Sequence, residues 1–302
     1  MPVLIVGALG LNAAPAPAAP LAPAPARRTV VVSPDGVKII AYEWGNPAGP
    51  PILFIHGSFQ SSLSWMDQTA DPRLTSKYRL VAFDLRGHGG SDKPDDVVAY
   101  RDGARWAGDV AAVIDMLHLQ KPVVVAWSYG ARVLADYLQA HGDRQLGGIV
   151  LVGARSTTGG SAPDAEAGRV AQRALSSDPM TFFAATRDFV LLCAQKPIPA
   201  AQVDLLTLAS VQTPAYVRQA MSGRPLVDQA VFKAIDVPVL IVEGQADRVV
   251  NPAAAADNHA LIQNSSLSLY QGVGHSPFLE DPKRFDAELD AFVGGLWPTA
   301  RR

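Results

Sequence analysis

The segment Pro122-Val123-Val124-Val125-Ala126-Trp127-Ser128-Tyr129-Gly130-Ala131-Arg132-Val133-Leu134-Ala135-Asp136-Tyr137-Leu138 changes character within a few residues. Its first part is a short apolar run, typical of a strand buried on both faces. Its last part places Val133, Leu134, Tyr137 and Leu138 on one helical face. A serine between such a strand and such a helix must sit on a very tight turn. The turn pushes the hydroxyl above the sheet edge and leaves it at a helix N-terminus. There, backbone N–H groups and the helix dipole favour a developing negative charge. The turn needs small neighbours, and Ala126 and Gly130 supply them two residues before and after Ser128. A serine that only caps an ordinary helix has the same local sequence, so the rest of the chain must discriminate.

Working outward, the apolar runs Ile52–Ile55, Leu80–Phe83, Ile149–Val152, Val239–Val242 and Leu267–Tyr270 repeat the buried-strand pattern. Thr29–Val32 and Val37–Tyr42 flank Ser33-Pro34-Asp35-Gly36 and read as a β-hairpin. Between the strands, Trp106, Val110, Val113, Ile114 and Leu117 share a helical face. Phe285, Leu289, Phe292 and Val293 mark a C-terminal helix. Strands alternating with helices imply right-handed crossovers and a mainly parallel sheet. The expected class is therefore α/β, a mostly parallel central sheet flanked by helices. The alternation breaks between residues 156 and 235, where Ala165–Ala174, Met180–Cys193, Ala201–Ser210 and Pro214–Met221 read as helices. A helical cap inserted over the strand ends is expected there, between core segments 28–155 and 236–302. A plain helical hairpin beside the sheet is the alternative.

The chain has 302 residues, 48% of them hydrophobic, and a formal net charge of −2. No basic block argues for nucleic acid or an anionic membrane surface. Cys193 is the only cysteine, which excludes an internal disulfide and a cysteine-based zinc site. The apolar run before it reads as packing. Val3–Leu11 is apolar but too short to span a bilayer, and Ala- and Pro-rich sequence follows to Ala26. Residues 1–27 are therefore expected outside the fold, as a secretory signal leading to a periplasmic or secreted location. The missing Lys or Arg before the apolar core counts against export and keeps a disordered extension of a cytoplasmic protein open.

A serine hydroxyl needs a base to take its proton and a third group to orient that base. His275 lies in Gly272-Val273-Gly274-His275-Ser276-Pro277-Phe278, after the last strand. Asp247 lies in Glu243-Gly244-Gln245-Ala246-Asp247, after the preceding one. Strand ends on one edge of a parallel sheet converge, so Ser128, Asp247 and His275 can meet above it. Glu243 is the nearest rival acid, but it stands at the strand end, before the loop. His56 and His88 read as turn or bracing residues.

The Ser128 turn resembles the G-x-S-x-G nucleophile elbow of the α/β-hydrolase superfamily, with Ala126 in place of the first glycine. Asp84-Leu85-Arg86-Gly87-His88-Gly89-Gly90-Ser91 resembles the superfamily's D-x-R-G-x-G-x-S turn, and the order Ser, Asp, His matches as well. The resemblance covers residues 29–295 apart from the cap. It is nearest to the cap-bearing serine esterases and the cofactor-free haloperoxidase-like (perhydrolase) group. Serine at the elbow argues against haloalkane dehalogenases and soluble epoxide hydrolases, which carry aspartate there.

The resemblance implies a serine hydrolase acting on a small carboxylic ester through an acyl-enzyme, with no metal or organic cofactor. It implies oxyanion donors at the N–H groups of Tyr129 and Ser58, the latter from His56-Gly57-Ser58; Phe59 is the alternative donor. Perhydrolysis, lactone opening and C–C bond hydrolysis use the same triad, and a non-catalytic ligand-binding protein is the reading from another class. Phe59, Trp127, Phe182, Phe183 and Phe189 are candidate pocket residues, although packing is the simpler expectation for most of the cap aromatics.

Overall fold

Hairpin strands β1 (Arg27–Val32) and β2 (Lys38–Gly45) pair antiparallel. They precede β3 (Pro51–Ile55), β4 (Arg79–Asp84), β5 (Val123–Trp127), β6 (Gly148–Val152), β7 (Val239–Gly244) and β8 (Ser265–Tyr270). In this computed structural model, which describes residues 22–155, 164–224 and 229–297, they form one 8-stranded sheet. Its order is β1-β2-β4-β3-β5-β6-β7-β8, with β3 to β8 parallel and β2 joined antiparallel to β4.

The continuous apolar runs explain the middle of the sheet, because side chains alternate between two buried faces. Leu53, Ile55, Val81, Phe83, Val124, Ala126, Ile149 and Leu151 enter one core. It includes Trp106, Val110, Val113 and Ile114 of the helix Gly103–Met116, and Val133, Leu134 and Tyr137 of the helix Tyr129–His141. Ile52, Phe54, Leu80, Ala82, Val123, Val125, Val150 and Val152 enter the other core, with Phe285, Leu289 and Val293 of the helix Pro282–Leu296. A change of strand register by one residue would swap the two sets, so the pattern fixes the pairing.

Among the described residues, five helices lie between β6 and β7: Ala165–Arg173, Pro179–Leu192, Ala200–Val211, Ala215–Ser222 and Gln229–Lys233. The first four fall where the sequence places them. The fifth is too short for periodicity to announce. Residues 156–163, the expected start of the insertion, lie outside the described residues. The insertion reaches across the loops at the C-terminal ends of the strands. Gln60, after β3, donates to Ser210 Oγ at 2.8 Å, and Gln202 donates to Asp67 at 3.0 Å. Glu280 accepts the main-chain N–H groups of Gln195 and Lys196. These bonds tie the insertion to the segments that follow β3 and β8.

The N-terminal boundary needs correction. Arg27 already pairs with Glu43 in β1, and Ala26 donates to the Glu43 carbonyl at 2.8 Å. The Trp44 indole donates to the Pro23 carbonyl at 3.2 Å, and Ala22 packs on the core. The ordered fold therefore takes in residues 22–27, whose proline-rich backbone can accept hydrogen bonds although it donates few. Residues 1–21 lie outside the described residues. Among the described residues no helix is long and apolar enough to cross a membrane.

Candidate active site

Ser128 sits at φ 54°, ψ −116°, between β5 and the helix Tyr129–His141. A positive φ on a non-glycine residue costs about 1–3 kcal/mol and persists only where the surroundings impose it. They do so here: Ser128 donates its N–H to Val152 of β6 at 2.9 Å, and a Cβ on Gly130 would come within 2.5 Å of the Ile55 carbonyl. The helix start therefore presses directly on β3, and Ala126, fully buried, suffices on the other side. The Ser128 hydroxyl makes no capping bond among the described residues, which removes the reading of a mere helix cap.

His275 and Asp247 are brought together. Nδ1 of His275 lies 2.6 Å from Asp247 Oδ2, and both side chains are buried. Asp247 Oδ1 accepts the N–H groups of Val249 and Val250 at 2.7 and 2.9 Å. Burial pushes the Asp247 carboxyl up, but the His275 charge and bond and those two N–H groups outweigh it and hold it below its ordinary value. Nε2 of His275 has no partner among the described residues. The imidazole lies against the β6 exit, where a Cβ on Gly153 would meet it at 2.8 Å, and 5.6 Å from the Trp127 ring. Ser128 is anchored to that same exit through Val152.

Glu243, the rival acid, closes β7 and is 1% exposed. No N–H or O–H donor among the described residues reaches its carboxyl oxygens, and its partner is the Asp247 side chain. Burial, and then the neighbouring Asp247 charge, push its pKa up to about 10, so it is held as a neutral acid. Ser58 and Phe59 stand on the loop after β3 and are partly exposed, with Phe59 at φ 60°. Tyr129 begins its helix, so its N–H has no acceptor within the helix.

The other titratable candidates are structural. His56 Nε2 accepts the Leu85 N–H at 3.0 Å while Nδ1 donates to the Gly57 carbonyl. Burial lowers the His56 pKa to about 4. His88, also lowered by burial and then by His56, to about 3, donates to the Arg86 carbonyl. Asp84 accepts from Ser62, Gly90 and Tyr42, as a turn brace does. Cys193 is buried, and burial raises its thiol pKa.

Two of the five aromatic pocket candidates, Trp127 and Phe182, are engaged in other contacts. Trp127 is 4% exposed; it packs 5.0 Å from Phe278 and donates its indole N–H to the His275 carbonyl at 2.9 Å. It is a brace beneath the site. Phe182 is buried inside the insertion, with the Arg218 guanidinium 3.2 Å above its ring. Phe183 is 44% exposed on the helix Pro179–Leu192. Phe189 packs, as Val249 does, against the cluster of Ala167, Val170 and Leu192, and Phe59 packs against the core edge. Sequence reasoning missed the Trp127 brace because an indole donor's partner 148 positions away leaves no local signal.

Residues 52–288 match the alpha/beta hydrolase family, and the chain belongs to that family. A non-heme chloroperoxidase from Streptomyces lividans is 29% identical over 277 residues, covering 87% of this chain and 98% of that protein. Among solved structures, a putative aryl esterase from Burkholderia cenocepacia superposes with a TM-score of 0.85 at 36% identity, covering 90% of this chain and 100% of that one. An esterase, RhEst1, from Rhodococcus sp. ECU1013 superposes at 0.81 with 35% identity, covering 89% and 99%. The chain is thus a member of an enzyme family with esterase and haloperoxidase relatives.

Proposed function

We propose that this protein is a serine esterase acting on small carboxylic esters through an acyl-enzyme. The observation that carries the reading is the buried His275–Asp247 pair at 2.6 Å, taken with the strained, uncapped Ser128. Ser128 Oγ attacks the ester carbonyl while His275 Nε2 takes its proton. The N–H groups of Tyr129 and Ser58 receive the developing oxyanion. Imidazolium Nε2–H then protonates the leaving alcohol. Water, deprotonated by the same nitrogen, releases the acid and restores the serine. Asp247 holds Nδ1–H, which fixes the tautomer and stabilises the cation.

A fluorophosphonate probe tests this reading, because it phosphonylates only an activated serine. One adduct located on Ser128 by peptide mass, with loss of 4-nitrophenyl butyrate hydrolysis in step, is the expected result. Labelling that persists in Ser128→Ala would refute it. The likeness to a chloroperoxidase favours one second reading, attack on the acyl-enzyme by hydrogen peroxide to give a peracid. Peroxide-dependent halogenation in acetate buffer tests it.

A further inference from the structure

Arg132 stands in the first turn of the helix Tyr129–His141, the turn that starts at Ser128. A cation there opposes the helix dipole, so its position calls for a negative group nearby. Its Nε and Nη2 atoms are shielded from solvent and have no hydrogen-bond partner among the described residues. Those two atoms form the side-on edge of the guanidinium, which grips a carboxylate through two parallel bonds. The same edge of Arg86 does this within the protein: Nε and Nη2 donate to the two oxygens of Asp109, each at 2.7 Å. For Arg132 the described residues supply no such carboxylate.

Arg224 lies beside it. The guanidinium carbons of Arg132 and Arg224 are each 5.7 Å from the centroid of the Tyr129 ring. Arg224 donates to the Tyr129 hydroxyl at 3.0 Å and to Asp136 at 2.5 Å, while its Nε is also buried, with no partner among the described residues. The ring orients both cations but neutralises neither. Asp136 is one carboxylate for two guanidinium groups, and its bond goes to Arg224. Burial and the like charges of Arg224 and Arg155 press the Arg132 pKa below its ordinary value. Among the described residues more cations than anions surround this half-buried guanidinium, an arrangement that is strongly unfavourable unless an anion joins it. Arg132 lies four residues from Ser128, about 6 Å along the helix axis at 1.5 Å per residue.

We propose that Arg132 and Arg224 form a carboxylate-binding subsite beside Ser128, and that the preferred substrates are esters carrying a carboxylate. This rests on the esterase reading above and names the substrate class for it.

Two pairs of chromogenic or ultraviolet-active esters test it on the full chain. In the first pair the acyl chain ends in a carboxylate or does not: mono-4-nitrophenyl glutarate against 4-nitrophenyl pentanoate. In the second the leaving group carries the charge: the pentanoate ester of 4-hydroxybenzoate against that of methyl 4-hydroxybenzoate. Wild-type kcat/KM should favour the anionic member of at least one pair by about tenfold or more, the size expected of one charge-assisted bidentate contact. That ratio should collapse in Arg132→Met, chiefly through KM of the anionic ester. Arg132→Lys should keep part of it, since the charge remains and the fork is lost. Free glutarate should inhibit pentanoate hydrolysis competitively, and more weakly in Arg132→Met. Non-competitive inhibition would place the anion away from the substrate and overturn the proposal. So would wild-type ratios near one in both pairs, or equal proportional losses on both members in Arg132→Met. Pentanoate turnover without anionic preference would leave the esterase reading standing, whereas no turnover of any ester would refute that reading and the proposal with it.

Discussion

Trp127 donates its indole N–H to the main-chain carbonyl of His275 at 2.9 Å, so the residue before Ser128 holds the loop that carries the imidazole. The same ring lies where a Cβ on Gly57 would meet it at 2.9 Å, on the loop that carries Ser58. Three strand exits therefore converge on one side chain. Trp127→Phe keeps an aromatic ring but leaves the buried carbonyl without its donor, at a cost of about 1–3 kcal/mol. The expected outcome is a folded protein with kcat reduced about tenfold and KM little changed, because a misplaced imidazole impairs chemistry more than binding. Steady-state kinetics with circular dichroism checks this. Unchanged kcat would show that the bond serves stability alone.

Asp247→Asn should fold and lose activity by about 10³–10⁴, because an amide favours the wrong imidazole tautomer. Glu243→Gln should keep most of its activity. The reverse pattern in kcat/KM would assign the acid to Glu243.

The neutral Glu243 gives a pH prediction. Its pKa rises from an ordinary 4.5 to about 10 in the folded chain, so between those values the unfolded chain releases a proton that the folded chain retains. Its contribution to stability is therefore full below pH 4.5 and declines as pH rises towards 10. Glu243→Gln cannot ionise, so its melting temperature should gain on wild type steadily from pH 5 to pH 9. A constant difference across that range would mean that Glu243 is charged in the fold.

Phe182→Leu should lower the melting temperature by several degrees, through lost ring packing under Arg218 worth about 1–2 kcal/mol. It should leave the ratio of activities on short and long acyl esters unchanged. Phe183→Ala should alter neither. A shift in chain-length preference in either variant would put that ring in the substrate's path.

A chain beginning at Ala22 should match the full chain in activity and melting temperature. One beginning at Arg28 should melt lower, because it lacks the Pro23 carbonyl that accepts from Trp44 and the Ala26 bond to Glu43. Export through residues 1–21 is a separate proposal. Fractionating an expressing bacterium and sequencing the mature N-terminus tests it, and an intact Met1 in the cytoplasm would refute it.

The strand runs, the elbow at Ser128 and the loops of Asp247 and His275 were legible because they rest on local rules. Continuous apolar runs form doubly buried strands, a tight turn demands small neighbours, and parallel strand ends share one edge. Glu243 was separable from Asp247 only weakly along the chain. The tertiary structure puts Asp247 Oδ2 2.6 Å from His275 and buries Glu243 against Asp247. Hydrophobicity alone left the aromatic rings of the insertion ambiguous, because a phenylalanine that lines a pocket and one that packs a helix obey the same pattern. The Arg218 guanidinium lies over the buried Phe182 ring, whereas Phe183 is exposed. The Trp127 brace and the Arg132–Tyr129–Arg224 cluster left no trace in the sequence. Each is a contact between distant segments, made by side chains whose partners are chosen when the sheet closes and the insertion folds over it.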